Sequence, residues 1–84
     1  GGGFQVQLAS FTSQGEAESE FQRLKQRHPG LLGNLQPRIQ AADLGSLGTR
    51  YRLGVAPLGS REQAAKLCNS LIAAGVRDCT VRGL

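Results

Sequence analysis

Hydrophobic and polar residues alternate along this chain in two rhythms, one of two residues and one near 3.6. Phe4-Gln5-Val6-Gln7-Leu8-Ala9 has period two, which predicts a strand. Phe4, Val6 and Leu8 then face a core, and Gln5, Gln7 and Ala9 face solvent. Ser13 and Glu16 carry the S-x-x-E spacing of a capping box, so a helix starts there. Ala17, Phe21, Leu24 and His28 share one face of that helix, and Glu18, Glu20, Arg23, Lys25 and Arg27 occupy the rest. Pro29-Gly30 ends it, with His28 at the C-terminal end where a cation is favoured. Leu31 to Asn34 reads as a loop. The stretch from Leu35 to Ala41 alternates again, with Leu35, Ile39 and Ala41 inward and Gln36, Arg38 and Gln40 outward. Pro37 has no N–H for a ladder bond, which marks an edge strand or delays its start. Asp43 to Gly48 is turn material.

The clearest alternation is Arg50-Tyr51-Arg52-Leu53-Gly54-Val55, with Tyr51, Leu53 and Val55 inward and Arg50, Arg52 and Gly54 outward. Ser60 and Gln63 repeat the capping-box spacing ahead of an apolar stripe of Ala64, Leu67, Cys68 and Leu71. Gly75 suits the C-terminal cap of this second helix. Cys79-Thr80-Val81-Arg82 reads as a short last strand with Thr80 and Arg82 outward. A shift of 47 residues superposes the halves: Val6 meets Leu53, Leu8 meets Val55, Ser13 meets Ser60 and Leu24 meets Leu71. The order β-α-β-β-α-β, built from two split β-α-β halves, predicts an α+β, ferredoxin-like (RNP-like) fold. Its four-stranded antiparallel sheet carries both helices on one face and leaves the other open. Residues 4–84 form this one domain, and Gly1 to Gly3 read as a flexible lead-in.

Charge changes the picture through its placement. Ten Lys/Arg against six Asp/Glu give the 84-residue chain a net +4. The outward strand positions gather four arginines, Arg38, Arg50, Arg52 and Arg82, with four glutamines, Gln5, Gln7, Gln36 and Gln40, beside Ala9, Gly54 and Thr80. The acids other than Asp78 fall on the helices or in the Asp43 turn. Guanidinium forks match carboxylates, and glutamine amides both donate and accept hydrogen bonds. Such a surface suits a polyhydroxyl chain carrying occasional carboxylates.

Other functions are disfavoured by what the residues cannot assemble. The RNA-recognition motif shares this element order but stacks bases on aromatics, and the outward set holds none. No run of like charges suggests a nucleic-acid tail, and no apolar stretch approaches the roughly 18 residues that span a bilayer. Two cysteines and a distant His28 are too few ligands for a metal, and neither Ser10 nor Ser60 has a histidine nearby for catalysis. No enzyme activity, cofactor, nucleic acid or membrane contact is expected, and the domain is expected to be monomeric. Cys68 and Cys79 both fall on inward positions of elements that must pack together. They are expected to form a disulfide, which would mean an oxidising compartment; two buried free thiols are the alternative.

Phe4-Gln5-Val6-Gln7-Leu8-Ala9-Ser10-Phe11 resembles the opening "(Y/W)-x-V-Q-(L/V)-(G/A)-S-F" of SPOR domains, the sporulation-related repeat family of bacterial cell-wall proteins. The segment from Tyr51-Arg52-Leu53-Gly54-Val55 through Ala56-Pro57-Leu58-Gly59-Ser60 to Ala64 is similar to that family's second signature, with Ala56 where a glycine is usual. The resemblance covers about residues 4–82. It implies binding of septal peptidoglycan, in particular denuded glycan strands whose stem peptides have been removed, on the open sheet. It also implies a periplasmic or extracytoplasmic location at the division septum, in a membrane-anchored or secreted parent protein. A functional glutamine and serine of the family's first strand match Gln7 and Ser10. The aromatics that line this surface in some members are replaced here by Arg50 and Asp78. The expected glycan-binding set is therefore Gln5, Gln7, Ser10, Arg38, Arg50, Arg52, Thr80 and Arg82. A protein-interaction or dimerisation domain using the same open sheet is the second reading.

Overall fold

The computed structural model describes residues 3–84. Its elements are β1 (Phe4–Phe11), α1 (Gln14–Arg27), α2 (Pro29–Leu32), β2 (Gln36–Asp43), β3 (Thr49–Leu58), α3 (Arg61–Ala73) and β4 (Thr80–Gly83), with a 3-10 turn over Gly45–Leu47. Gly1 and Gly2 of the expected lead-in lie outside the described residues. The Gly3 carbonyl accepts a hydrogen bond from the Leu84 N–H at 2.9 Å.

Both helix starts follow from their caps. The Ser13 hydroxyl accepts from the Glu16 N–H at 3.2 Å, and the Ser60 hydroxyl accepts from the Gln63 N–H at 3.1 Å. The return legs reach one residue further back than the usual box: Gln63 Oε1 accepts from the Gly59 N–H, and Glu16 Oε1 from the Thr12 hydroxyl. His28 ends α1, its N–H donating to the Leu24 carbonyl. Pro29 does not open a loop there but begins the single turn of α2, since its missing N–H and fixed φ suit a first helical position. That turn buries Leu32, and Leu35 follows it into the core just ahead of β2. Gly75, at φ +102°, supplies the left-handed residue after α3 that lets the chain turn toward β4.

The sheet is antiparallel throughout, in the order β2-β3-β1-β4, with β2 at an edge as Pro37 requires. Val6, Leu8, Leu53 and Val55 pack beneath Ala17, Phe21 and Leu24 of α1 and Ala64, Leu67, Cys68 and Leu71 of α3. At about 25 cal/mol per Å², burying a side chain such as Phe21 or Leu71 contributes roughly 1.5–3 kcal/mol, so a handful of residues carries this thin core. Ala41 shares the Ile39 side of β2 but is exposed, because it lies near the free end of an edge strand.

The central strand breaks its own alternation. Gln7 pairs with Gly54, yet Ala9 pairs with Leu53, so β1 spends two steps where β3 spends one. The extra residue, Leu8, is a β-bulge. Beyond it the phase reverses: Ala9 and Phe11 join the side of Leu53 and Tyr51, and Ser10 falls opposite Arg52. Ala9 was expected to face solvent on the open side; it faces the helices instead. A second irregularity between Phe4 and Val6 places the extra residue on β3.

Cys68 of α3 and Cys79, just before β4, form the disulfide, with Cα atoms 5.4 Å apart and 11 residues of separation. Closing a loop of this length stabilises by roughly 2–3 kcal/mol in the chain-entropy account. Reduction, or Cys79→Ser, is therefore expected to lower the melting temperature by roughly 10–20 °C while leaving the far-ultraviolet spectrum of the cold protein unchanged. Calorimetry with and without reductant checks it, and an unchanged transition would show that the bridge contributes nothing.

Candidate functional site

The face of the sheet away from the helices is built in rows across the strands. One row runs Arg38–Gly54–Gln7–Thr80 through all four strands, and the next runs Gln40–Arg52–Ser10. Gln5 stands opposite Arg82 on one side of these rows, and Arg50 opposite Ala42 on the other. All eight residues expected from the sequence thus share one face. Rows are two residues apart, roughly 6.7 Å, and four strands span roughly 14 Å, so the surface is a broad platform.

The bulge brings the first-strand pair together. Gln7 and Ser10 are three residues apart and would point to opposite sides of a regular strand. With Leu8 as the extra residue, both project from the open face in neighbouring rows, Gln7 half-buried and Ser10 exposed. Alternation alone would have placed Ser10 on the helical side.

Gln5 occupies a different station from the others. It is on the open face, yet only 6% of its surface is accessible. A Cβ placed on Gly54 would lie 2.7 Å from Gln5 Oε1, so the glutamine lies flat over the glycine, in the space a larger residue would fill. Gln5 is consequently part of the floor of the platform, and Arg38, Ser10, Thr80 and Arg82 are its exposed features. The burial of Gln5 was not readable from the sequence, although a glycine at the centre of an alternating strand is a signal that something approaches closely.

Electrostatically the face is one-signed. Arg38, Arg50, Arg52 and Arg82 project from it, while Glu16, Glu18, Glu20 and Glu62 belong to the helices and Asp43 and Asp78 lie at the sheet's margins. Among the described residues the one ion pair is Glu20–Arg23 on α1, so the four sheet guanidiniums have no carboxylate partner within 4.0 Å. Of the large exposed apolar residues, Leu44 and Leu47 belong to the β2–β3 turn and Ile72 to α3, while Leu84 continues the Thr80–Arg82 phase of β4 at the margin of this face. No group of three or more His, Cys, Asp or Glu able to hold a metal occurs among the described residues.

A family model described as SPOR domain matches residues 1–82. No curated protein and no solved structure matches the chain.

Gly54→Ala is expected to keep the fold, because the nearest atom is the far end of a flexible side chain and the Val6 carbonyl, 3.2 Å from the added Cβ, has to give only slightly, but to displace Gln5. Its cost should be larger by on the order of 0.5–1 kcal/mol in the wild-type background than alongside Gln5→Ala. A double-mutant cycle in urea measures this coupling, and additivity would show that the two residues do not interlock.

Proposed function

Because the chain belongs to the SPOR domain family, which binds peptidoglycan and localises to the division septum, we propose that its open sheet face grips glycan strands stripped of their stem peptides. The domain does so without catalysis and directs its parent protein, outside the cytoplasm, to the septum. The observation that carries this reading is the acid-free platform on which Gln7, Ser10 and four unpaired guanidiniums stand together. Removing a stem peptide leaves a lactyl carboxylate on each N-acetylmuramic acid. Arginine meets such an anion with charge-assisted, fork-shaped hydrogen bonds. Gln7 and Ser10 offer neutral donors and acceptors for acetamido and hydroxyl groups between the charges. A strand that keeps its peptides would be held off a flat platform by their bulk. The Cys68–Cys79 bridge fits an oxidising, extracytoplasmic compartment. No described helix is long and apolar enough to cross a membrane.

The second reading, a polypeptide bound on the same face, is disfavoured because, among the described residues, the large exposed apolar side chain on that face is Leu84 at its margin, and the rows themselves hold polar and charged residues. Co-sedimentation with purified sacculi separates the two. Retention is expected to rise after amidase digestion of the sacculi and to fall with salt, since the guanidinium contacts are screened. Gln7→Ala and Arg50→Ala are expected to weaken retention several-fold with stability changed by less than about 0.5 kcal/mol. Indifference to amidase treatment, or wild-type retention by both variants, would overturn the assignment.

A further inference from the structure

We propose that the helical side of the domain carries a second binding site: the cleft between α1 and the loop after α3 takes a small amphiphile, an aliphatic carboxylate with its chain inside and its head at the mouth. The cleft exists because β4 is short. β4 pairs only with Phe4 to Gln7, while β1 runs on to Phe11. Cys79, the residue next in line to pair with β1, is bonded to Cys68 of α3, and the chain from Gly75 to Cys79 arrives as a loop. The Val76 N–H donates to the Leu71 carbonyl at 3.0 Å, which holds the start of that loop against the end of α3. Between the loop and the C-terminal half of α1, over the second half of β1, a cavity of about 440 Å³ remains. Pockets that hold small organic ligands measure about 300–1,000 Å³.

The lining selects the body of the guest. The bulge turns Leu8 and Ala9 toward the helices, and with Phe11 they form the floor, while Leu24 and Val76 add apolar walls. His28 is the one uncharged hydrogen-bonding side chain in the lining. A sugar or a peptide in the cleft would give up hydrogen bonds to water along its length and find few side-chain partners in exchange. Each polar group left unmet costs about 1–3 kcal/mol. A hydrocarbon chain has none to lose and gains roughly 25 cal/mol for each Å² of apolar surface removed from water.

The mouth selects the head. Three guanidiniums, Arg23, Arg27 and Arg77, and two carboxylates, Glu20 and Asp78, line the cleft. Arg23 donates to both Glu20 oxygens, so that pair is satisfied within α1. The hydrogen bonds from Arg23, reinforced by the fields of Arg23 and Arg27, hold the Glu20 carboxyl below its ordinary range despite some desolvation. Arg27 and Arg77, both exposed and without a carboxylate within 4.0 Å among the described residues, then stand against Asp78 alone. Arg27 also complements the partial negative charge at the end of α1, but a guanidinium's five N–H donors leave it a fork to spare. The balance favours an anionic head, and the His28 imidazole offers it one more N–H donor. Chain and head occupy one cavity on one side of the sheet. No part of the guest crosses to the face that holds Gln7 and Ser10, so the site is separate from the glycan platform.

The test titrates the isotopically labelled, oxidised domain with octanoate, and separately with octylammonium, octanol and acetate. Octanoate is expected to give saturable amide shifts at Leu8, Ala9, Val76 and Arg77. The amine, the alcohol and the short acid should each bind roughly tenfold more weakly or worse, as should octanoate on the Arg27→Glu/Arg77→Glu variant. Ala9→Leu, which fills the floor, should abolish the shifts; if that variant fails to fold, the charge reversal of two exposed residues decides. Gln7→Ala should leave the titration unchanged. Four results would overturn the proposal: no saturable shift with octanoate, equal binding of the alcohol or the amine, undiminished binding by the charge-reversed variant, or shifts that map to Gln7 and Ser10 instead of the cleft.

Discussion

One surplus residue in the central strand decides what each side of this domain presents. In an unbroken ladder, the side-chain period of two would send Ser10 beneath the helices and Ala9 out to solvent. Leu8 takes up a step that β3 does not match, and every side chain after it changes sides. The polar residues Gln7 and Ser10 therefore meet on the exposed platform, while Leu8, Ala9 and Phe11 are delivered to the helical side. Bulges are common where a strand must re-aim a side chain, and here the re-aimed residue belongs to the face that carries the proposed glycan contacts.

The two sides are held apart by different physics. The helical side is stabilised by burial: Val6, Leu53, Val55 and Leu71 are fully inaccessible, and a short disulfide loop supplements a core that 84 residues can build only thinly. The open side is kept soluble by charge and amide groups, with its arginines unpaired because the acids were placed elsewhere. Leaving guanidiniums unpartnered contributes little to stability, since exposed ion pairs are worth only about 0–1 kcal/mol. It does leave them free for an anionic ligand. The Gln5–Gly54 overlap adds a level floor at the centre of the platform without exposing apolar surface.

Much of this was legible in the sequence because period and capping are local signals. The alternation of residues 50–55, the two Ser-x-x-Glu/Gln boxes and the inward phase of Cys68 and Cys79 are each written within one element, and the fold and the disulfide followed from them. What was not legible depends on partners distant in the chain. The reversal at Leu8 is defined only by its register with Leu53 and Gly54. The burial of Gln5 needs the absent side chain of Gly54 across the ladder. The shortness of β4 depends on where Cys79 is tethered. Pro29 illustrates a local ambiguity, since the same residue type ends one helix and begins the next turn.

The phase reversal can be tested in a single spectrum. Glycan strands trimmed of their peptides would be added to the labelled domain while backbone amides and methyl groups of β1 are followed. The account predicts that Gln7 and Ser10 respond together, and that the methyls of Leu8 and Ala9 between them stay still. A response that alternates through Gln7 and Ala9 and passes over Ser10 would contradict it.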